Sequence, residues 1–287
     1  MSALTYAVVT PSFRGDLERC RLLVESADRW LAPSVRHYLI VDRQDYPLFK
    51  CFEGARTRVL VVEALLPFRI FRLPGVPKMW WSLHMRPVRN WILQQIVKLS
   101  VARHIGDDVM LFVDSDTFFC APFDPASLER DGKVPLYVQT GQAGLLDFND
   151  RWHAVAARLL GLPVKAPYDT NFIGNVICWR RDEALRLADH LEQHSGKWLA
   201  VLLSRERVFS EYILYGLFAL QQQGDASGHW HDALERTHCY WDPKPLDEEA
   251  LKKLKAEIAP HHHSVMISAK SRTAVESIRR VFFATPA

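Results

Sequence analysis

The chain has 287 residues, of which 48% are hydrophobic and 24% are charged, a composition typical of globular proteins that excludes a disordered chain. Its 36 basic and 33 acidic residues give a formal charge of +3, too even a balance to indicate a nucleic-acid partner, and we expect none. The five cysteines lack the paired spacing of a zinc site, so we expect reduced thiols.

The N-terminal residues lack the basic and apolar regions of a secretory signal, and no apolar run reaches the length of a membrane-spanning helix. We therefore expect a cytoplasmic protein. The small basic excess is compatible with an anionic small substrate, or with peripheral association at the inner face of a membrane. No repeat or linker divides the chain, so we predict one domain over residues 1–287.

The first third of the chain alternates strand and helix patterns. Short β-rich runs end at Pro11, Asp42 and Val62, and helical spacing begins after Asp16, which stands where a helix N-cap would. Strand–helix–strand order of this kind predicts a parallel sheet with right-handed crossovers. Residues 66–88 are rich in proline and tryptophan, which predicts a structured loop.

The most hydrophobic strand pattern covers residues 109–113, after a helix predicted over 88–104. Later elements are predicted as strands over 134–138 and 172–179, and as helices over 151–160, 182–194, 210–223, 247–258 and 271–283. Between these last helices, residues 224–246 are polar and are predicted to be irregular. The pattern predicts an α/β fold with a mostly parallel central sheet flanked by helices.

Asp114 and Asp116 come directly after the strand predicted over 109–113. In open α/β sheets, ligands bind beyond the carboxyl ends of the strands, and a turn at this point can aim both carboxylates at one site. Two hard oxygen donors beside a diphosphate are what Mg²⁺ or Mn²⁺ prefers. The alternative is an Asp-Ser-Asp turn without a ligand, because both residue types favour loops.

The segment Leu111–Phe119 resembles the hydrophobic–DxD–hydrophobic core of the GT-A glycosyltransferases. Four further segments are similar to parts of that fold and stand in its order. They are the first strand and loop Val8–Phe13, the helix with residues 94–98, the acidic helix start Ser210–Tyr212, and the histidines 261–263. Only the DxD motif is individually distinctive.

This resemblance covers about residues 6–265 and implies a Rossmann-like GT-A fold, of the type that builds bacterial surface polysaccharides. It implies a nucleotide-binding half over 1–120, and an acceptor and sugar half over 121–287 that ends in a metal-ligand segment. The implied reaction transfers a sugar from a nucleotide-diphosphate sugar to a glycan or lipid-linked acceptor, with Mn²⁺ or Mg²⁺ as cofactor.

For the nucleotide, the resemblance implies contacts from the end of the first strand, at Thr10, Pro11 and Ser12. Asp42 ends the second predicted strand, where a carboxylate commonly contacts a ribose or base. A solvated turn acid is the alternative there.

For the diphosphate, the resemblance implies contacts from Ser115, between the two acids, and from one helix face. Gln94, Gln95 and Lys98 share that face, and amide and ammonium donors pair well with phosphate oxygens. We expect Gln95 and Lys98 to make such contacts. A solvent-exposed polar face is the alternative.

For catalysis and metal binding, the resemblance implies that Glu211 is the base of an inverting transfer, and that a C-terminal histidine, His262 or His263, completes the metal site. An inverting transfer needs a base to accept the proton of the acceptor hydroxyl. The alternatives are a helix-opening acid and a solvated histidine loop. Lys270 is expected to add a phosphate contact, with a surface position as its alternative.

For the sugars, Gly174 and Asn175 are expected near the donor sugar, because glycine permits close backbone approach. Trp80 or Trp81 is expected to stack on the acceptor, although core packing is the commoner role of tryptophan. A sugar-nucleotidyltransferase and a catalytically silent glycan-binding domain remain as alternative functions. The single glycine of residues 11–15 counts against the former.

Overall fold

The protein is described by a computed structural model over residues 3–76, 78–145 and 147–283. Its strands are β1 (Tyr6–Pro11), β2 (Arg36–Val41), β3 (Thr57–Val61), β4 (Met79–Trp80), β5 (Val88–Arg89), β6 (Val109–Phe112), β7 (Thr117–Phe119), β8 (Val134–Tyr137), β9 (Ile177–Arg180), β10 (His229–Asp232), β11 (Thr237–Tyr240) and β12 (Ser264–Ile267).

The α-helices are α1 (Leu17–Trp30), α2 (Tyr46–Phe49), α3 (Asn90–Ser100), α4 (Asp147–Leu160), α5 (Arg181–Ser195), α6 (Leu199–Leu203), α7 (Glu211–Leu217), α8 (Glu248–Ala256) and α9 (Val275–Phe283). The chain of α7 continues as a π-helix over Phe218–Gln223. Within the three described ranges, none of the helices combines the length and the apolar character needed to cross a membrane.

A five-stranded sheet in the order β3-β2-β1-β6-β9 forms the centre of the fold. The first four strands are parallel and β9 is antiparallel to β6, so the predicted mixed α/β fold with a mostly parallel sheet is confirmed. Alternate residues of β1 enter two different cores. Ala7 and Val9 pack with α3 and α7, whereas Tyr6 and Val8 pack with α1.

A smaller sheet, β11-β12-β7, begins directly after the acidic motif, and β12 pairs antiparallel with β7. The C-terminal part of the chain is thereby brought to the end of β6. Two strands of this C-terminal part of the chain, β10 and β11, lie in the region predicted to be irregular. That prediction is wrong because both strands are short and rich in polar residues, which hides the strand pattern.

The strand predicted over 172–179 begins only at Ile177. Val176 has a φ of 56°, a left-handed conformation that a β-branched residue rarely adopts and that no strand contains. The segment before Ile177 is therefore a turn toward the sheet edge.

Helix α7 is buried along its whole length, and Ser210 caps its N-terminus because its Oγ accepts a hydrogen bond from the Ile213 amide at 3.5 Å. Gly216 lies against the ring of Phe172, which is 2% exposed. A Cβ atom at Gly216 would lie 2.2 Å from that ring. Glycine is therefore required for α7 to approach the 171–176 turn.

We expect Gly216→Ala to lower the free energy of unfolding by about 1–3 kcal/mol through overpacking, although alanine favours a helix by roughly 1 kcal/mol. Urea unfolding measures the change. Gly106→Ala is the matched control, because nothing lies within 4 Å of its added Cβ. Equal stabilities of the two variants would contradict the packing account.

Candidate functional site

A cavity of about 460 Å³ opens at the carboxyl edge of the central sheet, between the ends of β1 and β6. The strand order reverses at this point, since β2 lies on one side of β1 and β6 on the other, and such switch points are where open α/β sheets bind ligands. The lining residues all come from the first 116 positions. They are Pro11, Ser12, Phe13, Asp16, Ile40, Asp42, Val62, Arg72, Trp80, Asn90, Trp91, Leu93, Gln94, Val97, Asp114, Ser115 and Asp116.

The predicted acidic pair forms one end of this cavity. The Asp114 side chain is 42% exposed, while Asp116 is more deeply placed and accepts a hydrogen bond from the Ala269 amide at 2.8 Å. Burial and the neighbouring charge of Asp114 raise the pKa of Asp116 from 3.8 to about 6. Between them, Ser115 donates from its Oγ to Asp16 at 3.0 Å. Three carboxyl groups therefore surround this end of the cavity.

The other end of the cavity is built around Asp42, which is 5% exposed. Its Oδ2 atom accepts hydrogen bonds from Arg72 and Gln44. Its Oδ1 atom is buried and has no hydrogen-bond partner within the described ranges. A buried acceptor without a partner costs free energy, so the Asp42 carboxylate is only partly satisfied by Arg72 and Gln44.

Arg72 and Trp80 form the wall beside Asp42. The guanidinium carbon of Arg72 lies 4.3 Å from the centre of the Trp80 ring, and Trp80 Nε1 donates to Asn90 Oδ1 at 3.1 Å. Because Trp80 is only 3% exposed, it is a wall of the cavity and not an open stacking surface.

A buried lysine connects the acidic end of the cavity to α7. Lys98 Nζ donates to Tyr212 Oη at 2.9 Å, and it lies 3.1 Å from Glu211 Oε1 and 3.4 Å from Asp114 Oδ1. Burial alone would lower the pKa of Lys98, but Asp114, Tyr212 and Glu211 together raise it well above its ordinary value. The lysine is therefore charged, and it holds α3, α7 and the end of β6 together.

Three residues predicted to contact the nucleotide or its diphosphate lie behind the cavity wall. Lys98 and Gln95 are 4% and 3% exposed and do not line the cavity. The Gln95 Oε1 atom accepts from the Glu211 amide at 3.1 Å, and Thr10 Oγ1 is bonded to His37 Nε2 at 3.0 Å. On the predicted helix face, Gln94 is the residue that reaches the cavity.

The predicted catalytic base, Glu211, also lies behind this wall. Its side chain is 6% exposed and is ion-paired with Lys98. The structure brings Glu211 close to the acidic pair through this lysine, but Glu211 does not line the cavity.

The histidines predicted as metal ligands lie away from the acids. Ile267, at one end of β12, donates its amide to the Asp116 carbonyl, whereas His263, beyond the other end, accepts from the Cys120 amide. Four strand residues at roughly 3.3 Å each separate the two sites by about 13 Å. His262 Nδ1 instead accepts from the Ala259 amide at 3.0 Å, and His263 stacks on Phe123.

In residues 3–76, 78–145 and 147–283, no group of three or more histidine, cysteine or acidic side chains converges in a way that could hold a metal ion. The predicted histidine ligand is therefore not supported, and the acidic pair stands without a third protein ligand. Lys270 is better placed than the histidines to reach a ligand at the acidic pair. It is exposed and directly follows Ala269, whose amide contacts Asp116.

Gly174 and Asn175 do not line the cavity. A Cβ at Gly174 would lie 3.0 Å from the Tyr137 ring, so the glycine permits packing of that tyrosine and not the approach of a sugar. Asn175 Nδ2 contacts Cys239 Sγ at 3.3 Å. Burial and Glu235 raise the pKa of this Cys239 thiol.

Some residues of the cavity are not among the nucleotide contacts predicted from the sequence. They are Phe13, Asp16, Arg72, Asn90, Trp91 and Gln94, together with the apolar wall. Asp16 was predicted only as a helix cap, yet its side chain makes no capping bond and meets Ser115 instead. Arg72 lies in the proline-rich loop, where no periodic pattern indicates the direction of a side chain.

An exposed aromatic surface continues from the mouth of the cavity. Trp91, which lines the cavity, lies 6.0 Å from Trp152, and Trp152 lies 4.5 Å from Phe148. Trp91 is 44% exposed and Phe148 is 43% exposed. Large aromatic faces are therefore available to a ligand on the α4 side of the cavity.

Fold and site together define an α/β protein with an acid-lined cleft at the carboxyl edge of a mostly parallel sheet. The chain belongs to DUF6492, a family of unknown function whose sequence profile matches residues 4–278. Among curated proteins, none is significantly similar to this sequence.

Without metal, we expect Asp116→Asn to raise the free energy of unfolding at about pH 7 by roughly 1–2 kcal/mol. With a folded pKa of about 6, the protonated carboxyl is favoured in the folded state, and this stabilisation is lost as the pH rises through that value. The gain should vanish near pH 4, where the parent carboxyl is protonated. Urea unfolding in EDTA checks this. A gain in the free energy of unfolding that did not depend on pH would contradict the raised pKa of Asp116.

We expect Lys98→Met to destabilise the protein by about 3–5 kcal/mol, because it leaves Glu211 buried without its cation. Lys98→Met combined with Glu211→Gln should recover most of this loss in urea unfolding. Arg103→Met is the matched control, since its ion pairs with Asp189 and Glu192 are more exposed and should contribute less than about 1 kcal/mol. Additive effects of Lys98→Met and Glu211→Gln would contradict the coupling.

Proposed function

We propose that this protein is a metal-dependent glycosyltransferase of the GT-A type, which transfers a sugar from a nucleotide-diphosphate sugar to a hydroxyl acceptor. One observation carries the proposal. Asp114 and Asp116 stand at the carboxyl end of β6, at the switch point of the sheet, and both line a cavity whose far end is built around Asp42. The size of about 460 Å³ is within the range of small-molecule and cofactor sites.

The donor set fits a hard divalent cation. Two carboxylates are available, and Mg²⁺ commonly takes one or two carboxylates and completes its shell with phosphate oxygens and water. Burial, and then the charge of Asp114, raise the pKa of Asp116, and a bound cation would offset both effects. Asp114 and Asp116 would hold the ion, and the ion would supply charge neutralisation for the departing diphosphate.

The nucleoside is proposed to occupy the opposite end of the cavity. Ile40, Val62 and Trp80 form apolar walls there that suit the faces of a base. Asp42 lines this end of the cavity, where a carboxylate commonly contacts a ribose or base. In this arrangement Pro11 and Ser12 lie between the two ends, as the resemblance implies.

Lys98 and Glu211 are proposed to act on the reaction through Asp114. A base must reach the proton that it accepts, whereas Glu211 contacts Lys98 and not the cavity. A positioning role is therefore favoured: Glu211 fixes Lys98, and Lys98 fixes Asp114. An inverting reaction with Glu211 as base stays a prediction.

The acceptor is proposed to bind on the aromatic surface formed by Trp91, Trp152 and Phe148. Tryptophan rings offer broad apolar faces on which a sugar ring can lie, and Trp91 belongs both to this surface and to the cavity. This position replaces the expected acceptor contacts of Trp80 and Trp81, because Trp80 is buried inside the wall.

We expect UDP, GDP or dTDP to quench the tryptophan fluorescence of the protein in the presence of Mn²⁺, because Trp80 and Trp91 line the cavity. EDTA should abolish this response. Asp114→Asn and Asp116→Asn should each weaken nucleotide binding by about 100-fold, and should abolish metal-dependent hydrolysis or transfer of the matching nucleotide sugar.

Asp225→Asn is the control, because this carboxylate is fully exposed and is not part of the cavity. Nucleotide binding of equal strength in Mn²⁺ and in EDTA would contradict the proposal, as would turnover that both Asp114→Asn and Asp116→Asn leave unchanged.

A further inference from the structure

The positive charge of the chain is concentrated in one stretch. Between Ala64 and Gly106 there are seven basic residues and no acidic residue. The chain has 36 basic and 33 acidic residues in total, so the remainder holds 29 basic and 33 acidic residues and is slightly acidic. The net positive charge of the protein is therefore a local property of this stretch.

Three of these seven cations are neutralised within the fold. Arg72 pairs with Asp42, Lys98 with Asp114 and Glu211, and Arg103 with Asp189 and Glu192. The other four are exposed, and none forms an ion pair with a carboxylate of the described ranges. They are Arg69, Lys78, Arg86 and Arg89.

Exposed apolar side chains stand between these four cations. Leu83 is 95% exposed, and Phe71, Leu73 and Val76 are each 39% exposed. Single exposed apolar residues are ordinary on protein surfaces, but a cluster beside unpaired cations is typical of an interaction site.

The segment is fixed to the body of the protein. Phe71 and Trp81 exchange two backbone hydrogen bonds of 2.9 Å, and β4 pairs with β5. On its inner side, Ile70, Trp80 and Met85 are buried in the main core, and Phe68 stacks on Trp198. The exposed cations and apolar residues are thus the outer side of an anchored segment.

We propose that this segment, residues 69–76 and 78–89, is a docking surface for an anionic membrane. Lysine and arginine near an anionic lipid surface each favour binding by roughly fivefold at low ionic strength, and exposed aliphatic side chains enter the boundary between headgroups and acyl chains. Binding to nucleic acid is less favoured, because aromatic side chains, on which bases would stack, are outnumbered here by exposed aliphatic ones.

The surface lies beside the cleft, since Arg72 and Trp80 of the same segment line the cavity. Docking would bring the mouth of the cavity to the lipid. The docking itself does not depend on the proposed function. Only its use, the delivery of a lipid-linked acceptor to the cavity, rests on that function.

The test is co-sedimentation of the full chain with vesicles of phosphatidylcholine alone, or with an equal part of phosphatidylglycerol. We expect binding to the anionic vesicles only, with loss at high salt as the charges are screened. The quadruple variant Arg69→Gln, Lys78→Gln, Arg86→Gln and Arg89→Gln should bind on the order of several hundred times more weakly, because four roughly fivefold effects multiply. Leu83→Ser should weaken binding severalfold and leave its salt dependence in place.

A matched variant removes four exposed cations elsewhere, through Lys50→Gln, Arg58→Gln, Lys252→Gln and Lys253→Gln, and should bind as the parent does. Circular dichroism melting establishes that each variant is folded. The proposal is overturned if the parent does not bind anionic vesicles, if both quadruple variants bind equally, or if an RNA oligonucleotide displaces the parent from the vesicles. Failure of nucleotide binding, with docking intact, would remove the transferase activity and keep this surface.

Discussion

The burial of one ammonium group constrains the whole acidic edge of the cleft. Lys98 is 5% exposed in its side chain, and a charge so far removed from water must be paired to be tolerated. Its partners come from two other parts of the chain: Asp114 after β6, and Glu211 and Tyr212 at the start of α7. The relative position of these elements is thereby fixed before any ligand arrives.

This constraint explains why Asp114 and Asp116 differ in their accessibility. Asp114 is partly neutralised by Lys98 and remains accessible, while Asp116 lies deeper, with an amide hydrogen bond from Ala269 and only the weaker influence of Arg19 to compensate its charge. The resulting rise in the pKa of Asp116 is the electrostatic mark of a place where a further positive charge stabilises the protein. A divalent cation brought by a diphosphate meets that requirement, and a lone surface turn would not create it.

Much of the site could be predicted from the sequence, because it depends on where strands end. Hydrophobic runs predict β1, β2 and β6, and their carboxyl ends place Pro11, Asp42 and Asp114 at one edge. The role of Lys98 could not be predicted, since helical periodicity marks it as polar and its partner Glu211 lies more than 100 residues away.

The same limit applies to the histidines. His262 and His263 precede a strand that does return to the acidic motif, but the antiparallel register of β12 against β7 brings Ile267 and Ala269 to Asp116 in their place. Register between distant strands is set by tertiary packing and not by local pattern. A related limit applies to Gln94, which lines the cavity, and Gln95, which is buried in the core. The two residues are neighbours on α3, and one step around the helix turns the side chain from the cavity to the core.

The segment proposed as the docking surface, residues 69–76 and 78–89, contributes to both the cleft and the outer surface. Its inner side supplies Arg72 and Trp80 to the cavity, and its outer side carries the unpaired charge. A ligand in the cleft and a membrane bound to the segment would therefore be held at a fixed distance and orientation. The catalytic use that we propose for both depends on a cation bound at the end of β6, whereas docking of the segment to a membrane does not.

The most direct measurement of that site is the anomalous diffraction of crystals soaked with Mn²⁺ and a nucleoside diphosphate. The account predicts a manganese peak within roughly 2.1–2.3 Å of a carboxylate oxygen of both Asp114 and Asp116, with the diphosphate completing its coordination. A manganese peak away from both carboxylates, with the nucleotide bound, would contradict it.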